Sequence, residues 1–233
     1  MEQYQEAIEL ISKDQADQAR KILLQITETD HEFAPPYYGL GIIQLHLNDM
    51  RGAADFFEKS IHYGARDPQI YYLLASALVV VGDFDNAKKA YLEAIQRRPS
   101  MANVHHDLGV LYFRTNEFEN AEKSLKKAMA LDPSSSKSIL MLGVVCIKDG
   151  KPENALEYVT ALRAVGDELK AVHLENLIRE SQANKKIQEP DAKLLTPGGA
   201  SEGNTGKMAI TGNAQVNMRG TNKRKAKSPF ARH

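Results

Sequence analysis

Residues 108–133 read LGVLYFRTNEFENAEKSLKKAMALDP, a stretch with two short apolar patterns separated by a polar break. Leu108 and Leu111 stand three residues apart before the break, and Ala121 and Leu125 stand four apart after it. Apolar residues at these spacings fall on one face of an α-helix, because the helix has about 3.6 residues per turn. The stretch therefore predicts a hairpin of two amphipathic helices.

The same pattern returns every 34 residues along the chain. Units begin at Ala34, Pro68, Ala102 and Ser136, after a first unit that starts at the amino terminus. Position eight is always small, position fifteen is Asn, Asp or Gly, and position twenty is always alanine. In unit order these residues are Ala7, Gly41, Ala75, Gly109 and Gly143, then Asp14, Asn48, Gly82, Asn116 and Gly150, then Ala19, Ala53, Ala87, Ala121 and Ala155. A period in this range indicates a solenoid, in which similar helical units stack in a row.

Local chemistry explains why these positions are restricted. The residue types at position fifteen tolerate the left-handed backbone that ends a helix, and small residues at positions eight and twenty let paired helices approach closely. Asp83 is expected to cap a second helix, and Pro152 suits a first helical turn. Pro68, Pro99 and Pro133 mark the places where second helices stop. The sequence thus predicts where the helices of each hairpin begin and end.

Residues 108–133 resemble a tetratricopeptide repeat, and the resemblance extends over about residues 1–169. The residues that carry it are Leu108, Gly109, Tyr112, Ala121, Ala128 and Pro133. The resemblance implies an all-α fold, a right-handed α-solenoid of about five 34-residue helix-turn-helix repeats. The residues that follow are expected to add a C-terminal capping helix and a disordered tail. Glu6 stands where the family has a leucine, so the first unit is expected to be an atypical cap, as terminal repeats usually are.

The register divides the chain into a solenoid over residues 1–187 and a tail over residues 188–233. Repeats are predicted at about 1–33, 34–67, 68–101, 102–135 and 136–169, with the capping helix at about 167–187. The capping helix is expected to cover the last repeat with Leu169, Val172, Leu177 and Ile178.

Bulk composition is that of an ordinary soluble globular protein, with 42% hydrophobic and 26% charged residues. The longest apolar run, residues 71–82, is too short to span a bilayer, and the amino-terminal residues do not have the pattern of a signal peptide. The single cysteine, Cys146, excludes an internal disulfide and suits a reducing compartment. We therefore expect a cytoplasmic protein, or a nuclear one if the organism is eukaryotic.

No constellation in the sequence predicts catalysis, a cofactor or a metal site. His105 and His106 are adjacent, so on a helix they point about 100° apart and cannot readily hold one ion. Cys146 occupies an inward-facing position and is expected to be a small core residue. Asp83 and Asp85 fall at a helix start, where capping explains them. The chain is therefore predicted not to be an enzyme.

The resemblance implies that the first helices of the units line a concave groove, which holds a peptide of a partner protein. Positions five, nine and twelve face such a groove, and we call these residues the first-helix strip. They are Tyr4, Tyr38, Tyr72, His106 and Leu140, then Ile8, Ile42, Ser76, Val110 and Val144, then Ile11, Leu45, Val79, Phe113 and Ile147. Position thirteen adds two cations, Arg114 and Lys148. Tyr37 and Tyr71, which precede two of the strip tyrosines, are expected to pack within their repeats.

Two interpretations of the strip remain open at this point. Its aromatic residues either hold the repeats together or form an apolar surface for a partner, which soluble proteins seldom leave unused. Some tetratricopeptide-repeat proteins hold an acidic carboxyl terminus with lysine and asparagine at positions five and nine, and this chain has neither residue there. An apolar peptide or amphipathic helix fits better, with Arg114 and Lys148 available to an acidic flank.

The net charge separates the two parts of the chain. Residues 1–187 carry 22 Lys and Arg against 27 Asp and Glu, whereas residues 188–233 carry 8 against 3. The tail is rich in Gly, Asn and Thr and is predicted to be disordered. Its basic end holds Lys223, Arg224, Lys225 and Lys227. This end is expected to be a solvated extension, a nuclear signal, or a contact to nucleic acid or an anionic membrane. Leu194 and Leu195 offer a further alternative, in which the tail folds back into the groove and blocks it.

The sequence favours a non-catalytic scaffold, adaptor or co-chaperone that binds another protein. A chaperone or assembly factor for secretion or pilus-type subunits is an alternative, because such proteins also use short apolar repeat grooves. A nucleic-acid-associated or membrane-associated protein that acts through its tail is another. Salt-sensitive binding would favour the tail, and salt-tolerant binding would favour the groove.

Overall fold

The computed structural model describes residues 2–13 and 15–188, with side chains as far as Lys185, and every regular element in this part is a helix. The first helices of the units are α1 (Glu2–Ser12), α3 (Ala34–His46), α5 (Pro68–Val81), α7 (Ala102–Arg114) and α9 (Ser136–Lys148). The second helices are α2 (Ala16–Thr29), α4 (Met50–His62), α6 (Phe84–Arg97) and α8 (Phe118–Leu131). In the fifth unit a 3₁₀ helix (Pro152–Ala155) leads into α10 (Leu156–Ala164), and α11 (Glu168–Gln188) follows.

The helices keep the 34-residue register of the sequence. Helices α3, α5, α7 and α9 begin 34 residues apart, and so do α2, α4, α6 and α8. Each hairpin packs against its neighbours in chain order, so the predicted helical solenoid is confirmed. The boundaries of the predicted repeats and tail stay predictions, and the tail with Lys223, Arg224, Lys225 and Lys227 lies outside the described residues.

The turn inside each hairpin uses the left-handed backbone that position fifteen predicts. The φ angle is +60° at Asn48 and Asn116, +91° at Gly82 and +79° at Gly150, which confirms the prediction in four units. The corresponding residue of the first unit, Asp14, lies outside the described part of the chain. Glycine accepts this backbone because it has no β-carbon, and asparagine accepts it because its short polar side chain can form a local hydrogen bond.

We expect Gly82→Ala to lower the free energy of unfolding by about 1–2 kcal/mol, because a β-carbon is disfavoured at positive φ. A β-carbon added at Gly82 would meet no heavy atom within 4 Å, so the loss would come from the backbone alone. Gly82→Asn is the matched control and should lose less, since asparagine occupies this turn in two other units. Urea unfolding measures both variants, and equal losses would contradict the explanation.

Small residues bring the paired helices together. Ala19, Ala53, Ala87, Ala121 and Ala155 at position twenty are all fully buried. At position eight, a β-carbon added to Gly109 of α7 would lie only 2.6 Å from Cγ of Leu125 in α8. The small residues are therefore required by the close approach of the two helices, as the sequence predicts.

Helix α11 covers the last hairpin with a different face from the one predicted. Ala171, Leu174 and Ile178 are buried, whereas Leu169 is 87% exposed and Val172 is 42% exposed. The prediction was therefore right for Ile178 and wrong for Leu169 and Val172. The side chain of Leu174 occupies the space where Gly143 of α9 has no β-carbon. This contact sets the rotation of the helix and turns Leu169 and Val172 towards solvent.

Residues 2–13 and 15–188 contain no helix that is both long enough and apolar enough to cross a membrane.

Candidate functional site

The first-helix strip lies at a boundary between core and solvent. Every side chain of the strip is half-buried, from Tyr4 and Ile8 on α1 to Val144 and Ile147 on α9. The two cations at position thirteen, by contrast, are exposed. The strip therefore presents partly covered apolar groups along all five first helices.

The two residues of each tyrosine pair differ in burial, as the sequence predicts. Tyr37 and Tyr71 are buried, while the tyrosines that follow them are half-buried. The ring of Tyr37 stacks on Tyr63 with a centroid separation of 5.1 Å. The guanidinium carbon of Arg97 lies 4.2 Å from the ring centroid of Tyr71. The first tyrosine of each pair thus packs within its repeat, and the second belongs to the strip.

Hydrogen bonds tie strip residues of one unit to residues of the next. The hydroxyl of Tyr72 on α5 donates to Oδ2 of Asp107 on α7 at 3.0 Å. Nδ1 of His106 on α7 lies 3.0 Å from Oγ of Ser138 on α9. Burial, followed by the negative charge of Asp107, raises the pKa of Tyr72, and burial lowers the pKa of His106. Both groups are therefore neutral hydrogen-bonding groups near pH 7, and they hold the strip in a fixed arrangement.

The two exposed cations have different surroundings. The guanidinium carbon of Arg114 lies 4.8 Å from the ring centroid of Phe84. Lys148 lines a cleft of about 450 Å³ together with Val144 and Ile147, against Leu177 of α11. The structure thus brings three predicted site residues together at the carboxyl end of the solenoid. Whether Arg114 and Lys148 hold an acidic flank of a partner stays a prediction.

The cysteine and the buried histidine have surroundings that indicate structural roles. Cys146 is 7% exposed, and burial raises the pKa of its thiol, which disfavours the nucleophilic thiolate. His105 is buried, and its Nε2 lies 2.9 Å from the carbonyl oxygen of Pro99. In the described ranges, no group of three or more His, Cys, Asp or Glu residues is arranged to hold a metal ion.

A second cleft was missed by reasoning from the sequence. It has a volume of about 530 Å³ and surrounds two strip residues, Tyr4 and Tyr38. Its other aromatic and acidic lining residues are Phe33, Tyr63, Glu32 and Asp67, all on the loops that join units. The only sequence signal was that an aromatic and an acidic residue lie close together at two successive unit boundaries: Glu32 and Phe33 at the first, Tyr63 and Asp67 at the second.

The fold and the strip define the class of the protein. Stacked helical hairpins with this register are those of tetratricopeptide-repeat proteins, which are generally non-catalytic modules for protein interaction. Residues 71–193, more than half of the chain, match the family model described as the middle TPR-like domain of cilia and flagella-associated protein 70. The chain belongs to this family.

Individual relatives are similar over different lengths. The BBSome complex member BBS4 of Mus musculus is 34% identical over 59 residues, which are 25% of this chain and 11% of that protein. BBS4 of Bos taurus is 36% identical over an equally long stretch. The match therefore spans about a tenth of the length of these curated relatives.

Solved structures share the fold of the chain. YrrB, described as a TPR protein with an unusual peptide-binding site, is 22% identical with a TM-score of 0.68, over 73% of this chain and 88% of YrrB. MamA from Desulfovibrio magneticus RS-1 is 20% identical with a TM-score of 0.63, over 74% of this chain and 93% of that one. At these identities the likeness concerns the fold.

Proposed function

We propose that the chain is a non-catalytic scaffold or adaptor of the co-chaperone type, which holds a peptide or an amphipathic helix of another protein on the first-helix strip. The observation that carries the proposal is the uniform half-burial of the strip from α1 to α9. A strip that served only the core would be buried, and one without a role would carry mainly polar residues.

Rigid support makes these side chains suitable for binding. Tyr38 lies against Phe57 with ring centroids 6.1 Å apart, and Tyr72 lies against Tyr91 at 6.2 Å. The hydrogen bond from Tyr72 to Asp107 fixes the outer end of that ring. Side chains that are ordered before a partner arrives lose little conformational entropy on binding, so more of the contact free energy remains as affinity.

The chemistry of the strip indicates the partner. Isoleucine, valine, leucine and tyrosine dominate it, and such residues suit an apolar segment, either extended or as one face of a helix. Two relatives support the proposal by the descriptions they carry. BBS4 is a member of a complex, and YrrB is a repeat protein with a peptide-binding site. A chaperone for secretion or pilus-type subunits would use the same surface.

We expect Tyr72→Ala to weaken binding of the partner at least tenfold, because aromatic side chains with rigid support carry much of the free energy of an interface. The partner is captured from a lysate of the source organism with the full chain, and its Kd is then measured by calorimetry. Leu92→Ala is the matched control, since Leu92 is 48% exposed on α6 of the same unit, and it should leave the Kd unchanged.

Circular dichroism and thermal unfolding separate a lost contact from a lost fold. Tyr72→Ala should keep the helical signal at the temperature of the binding measurement. Equal affinities of the Tyr72→Ala and unaltered chains would contradict the proposal, and so would a loss of affinity that follows the unfolded fraction. A steep loss of affinity with salt, common to both variants, would favour the alternative in which the basic tail makes the contact.

A further inference from the structure

Four aromatic rings and two carboxylates surround the 530 Å³ cleft at the amino end of the strip. We call these residues the aromatic cage: Tyr4, Phe33, Tyr38, Tyr63, Glu32 and Asp67. Lysine, arginine and histidine are absent from the residues that line this cleft in the described part of the chain. A cleft of this volume accommodates one side chain with its adjoining backbone.

The rings of the cage stand at different angles. The centroids of Tyr4 and Phe33 are 5.8 Å apart, and their planes make an angle of 77°. All four rings are half-buried, so each is partly covered by protein and partly open. Rings set at an angle present faces and edges to the same volume, and this arrangement surrounds a rounded group better than parallel rings do.

Two of the cage rings, those of Tyr63 and Tyr38, pack against buried aromatic residues. Tyr63 is stacked on the buried Tyr37 at 5.1 Å, and the hydroxyl of Tyr37 donates to the carbonyl oxygen of His31 at 3.0 Å. Tyr38 lies against the fully buried Phe57. Tyr38 and Tyr63 are therefore ordered by contacts that also hold the second unit together.

The electrostatics of the cage favour a cation. Oδ1 of Asp67 accepts a hydrogen bond from the backbone N–H of Gln69 at 2.9 Å and lies 3.9 Å from Nη2 of Arg98. Oδ2 of Asp67 makes no hydrogen bond to the described residues. Glu32, which is exposed, forms no ion pair with the side chains of residues 2–13 or 15–185. Burial raises the pKa of Tyr38, and the negative charge of Asp67 raises it further, so the ring lies within the field of that carboxylate.

We propose that the aromatic cage binds a cationic side chain, the guanidinium of arginine or the plain or methylated ammonium of lysine, on a basic segment of the partner protein. Aromatic faces attract cations through their quadrupole, and the two carboxylates add charge complementarity. The inference rests on the proposed function, because a partner segment on the strip reaches the cage at Tyr4 and Tyr38. The cage then determines which residue the partner places at this end.

Small probes with matched neutral isosteres test the cage in the full chain. N-acetyl-arginine amide is compared with its citrulline counterpart, and N-acetyl-trimethyllysine amide with the isostere in which tert-butyl replaces trimethylammonium. We expect Kd values of about 1 mM for the cations, at least tenfold weaker binding of the neutral isosteres, and shifts of the ring resonances of Tyr4, Tyr38 and Tyr63 in NMR titrations. Equal binding within each pair would overturn the proposal.

Two variants locate the binding. Tyr38→Ala removes one wall, and we expect it to weaken cation binding at least tenfold. Asp67→Asn removes a charge but keeps an N-cap for α5, since asparagine caps helices as well as aspartate. This variant should melt like the unaltered chain and bind the cations about threefold to tenfold more weakly. Unchanged affinity of a folded Asp67→Asn chain, together with unchanged affinity of Tyr38→Ala, would also overturn the proposal.

A third variant distinguishes a partner from the basic tail of the chain itself. Lys223, Arg224, Lys225 and Lys227 are replaced together by alanine in the full chain. Unchanged probe affinity supports an external basic segment. A tenfold gain in affinity would show that the tail had competed for the cage, and it would overturn the assignment to a partner. The proposed function is tested separately, by the partner affinity of Tyr72→Ala, because Tyr72 does not line the cage. The cage proposal can therefore fail while the proposed function holds, and the reverse.

Discussion

Replacement of Phe57 by alanine is expected to lower the free energy of unfolding by about 3–5 kcal/mol. The ring is fully buried on α4. A β-carbon added at Gly41 of α3 would lie 2.5 Å from Cε1 of this ring, so the ring fills the space that the glycine leaves. Removal of the ring leaves a cavity that neither helix can close without moving its backbone, and the loss of packing adds to the loss of buried apolar area.

The neighbouring Phe56 supplies the control for this substitution. Phe56 is half-buried on the same helix, and the ammonium of Lys59 lies 5.5 Å from its ring centroid. Phe56→Ala should cost about 1 kcal/mol, because a partly exposed ring transfers less area from water. Urea unfolding followed by circular dichroism measures both. If the two variants lost the same stability, the assignment of Phe57 to the core of the second unit would be wrong.

The repeat register could be predicted from the sequence because the chemistry that sets it is local. A left-handed turn needs Gly or Asn at one position, as at Gly82 and Asn116, and closely paired helices need small residues such as Ala121. Each requirement is met within a single hairpin and returns after 34 residues. Five repetitions of a weak local pattern make a strong one, so the order and the starts of the helices follow from the residues alone.

The face of α11 could not be predicted in the same way. Leu169 and Val172 form one apolar stripe, and Ala171, Leu174 and Ile178 form another on roughly the opposite face of the helix. Amphipathicity alone does not choose between two such stripes. The choice depends on a distant residue, because the missing side chain of Gly143 leaves room for Leu174.

The aromatic cage escaped prediction because its residues come from several units. Phe33 and Tyr63 are on loops after second helices, and Tyr4 and Tyr38 are on first helices. The family pattern predicts functional residues on the first helices, where two of the six cage residues, Tyr4 and Tyr38, lie. The other four are on the loops after α2 and α4, and their meeting depends on how successive units pack in space.

Replacement of Leu174 by alanine is expected to lower the free energy of unfolding of the carboxyl-terminal hairpin by about 2–5 kcal/mol. Leu174 is fully buried and packs where Gly143 has no side chain, so alanine would leave α9 uncovered at this point. In a solenoid each unit contacts only its neighbours, and the loss should therefore be local. Hydrogen exchange should show faster opening in α9, α10 and α11 and little change in α3 and α4.

Leu169→Ala is the matched control on the same helix, and it separates the two stripes directly. Leu169 is 87% exposed, so its removal should change the stability by less than about 0.5 kcal/mol. If Leu169→Ala were the more costly substitution, α11 would be rotated relative to the position found here, and the cleft lined by Lys148 and Leu177 would not exist in this form. Leu174→Ala and Leu169→Ala together therefore test how α11 packs at the end of the solenoid, and with it the shape of the cleft that the strip lines there. Val144 of α9 and Leu177 of α11 line the same cleft. If Leu174→Ala loosens α11, any partner contact made through Val144 should therefore become weaker as well.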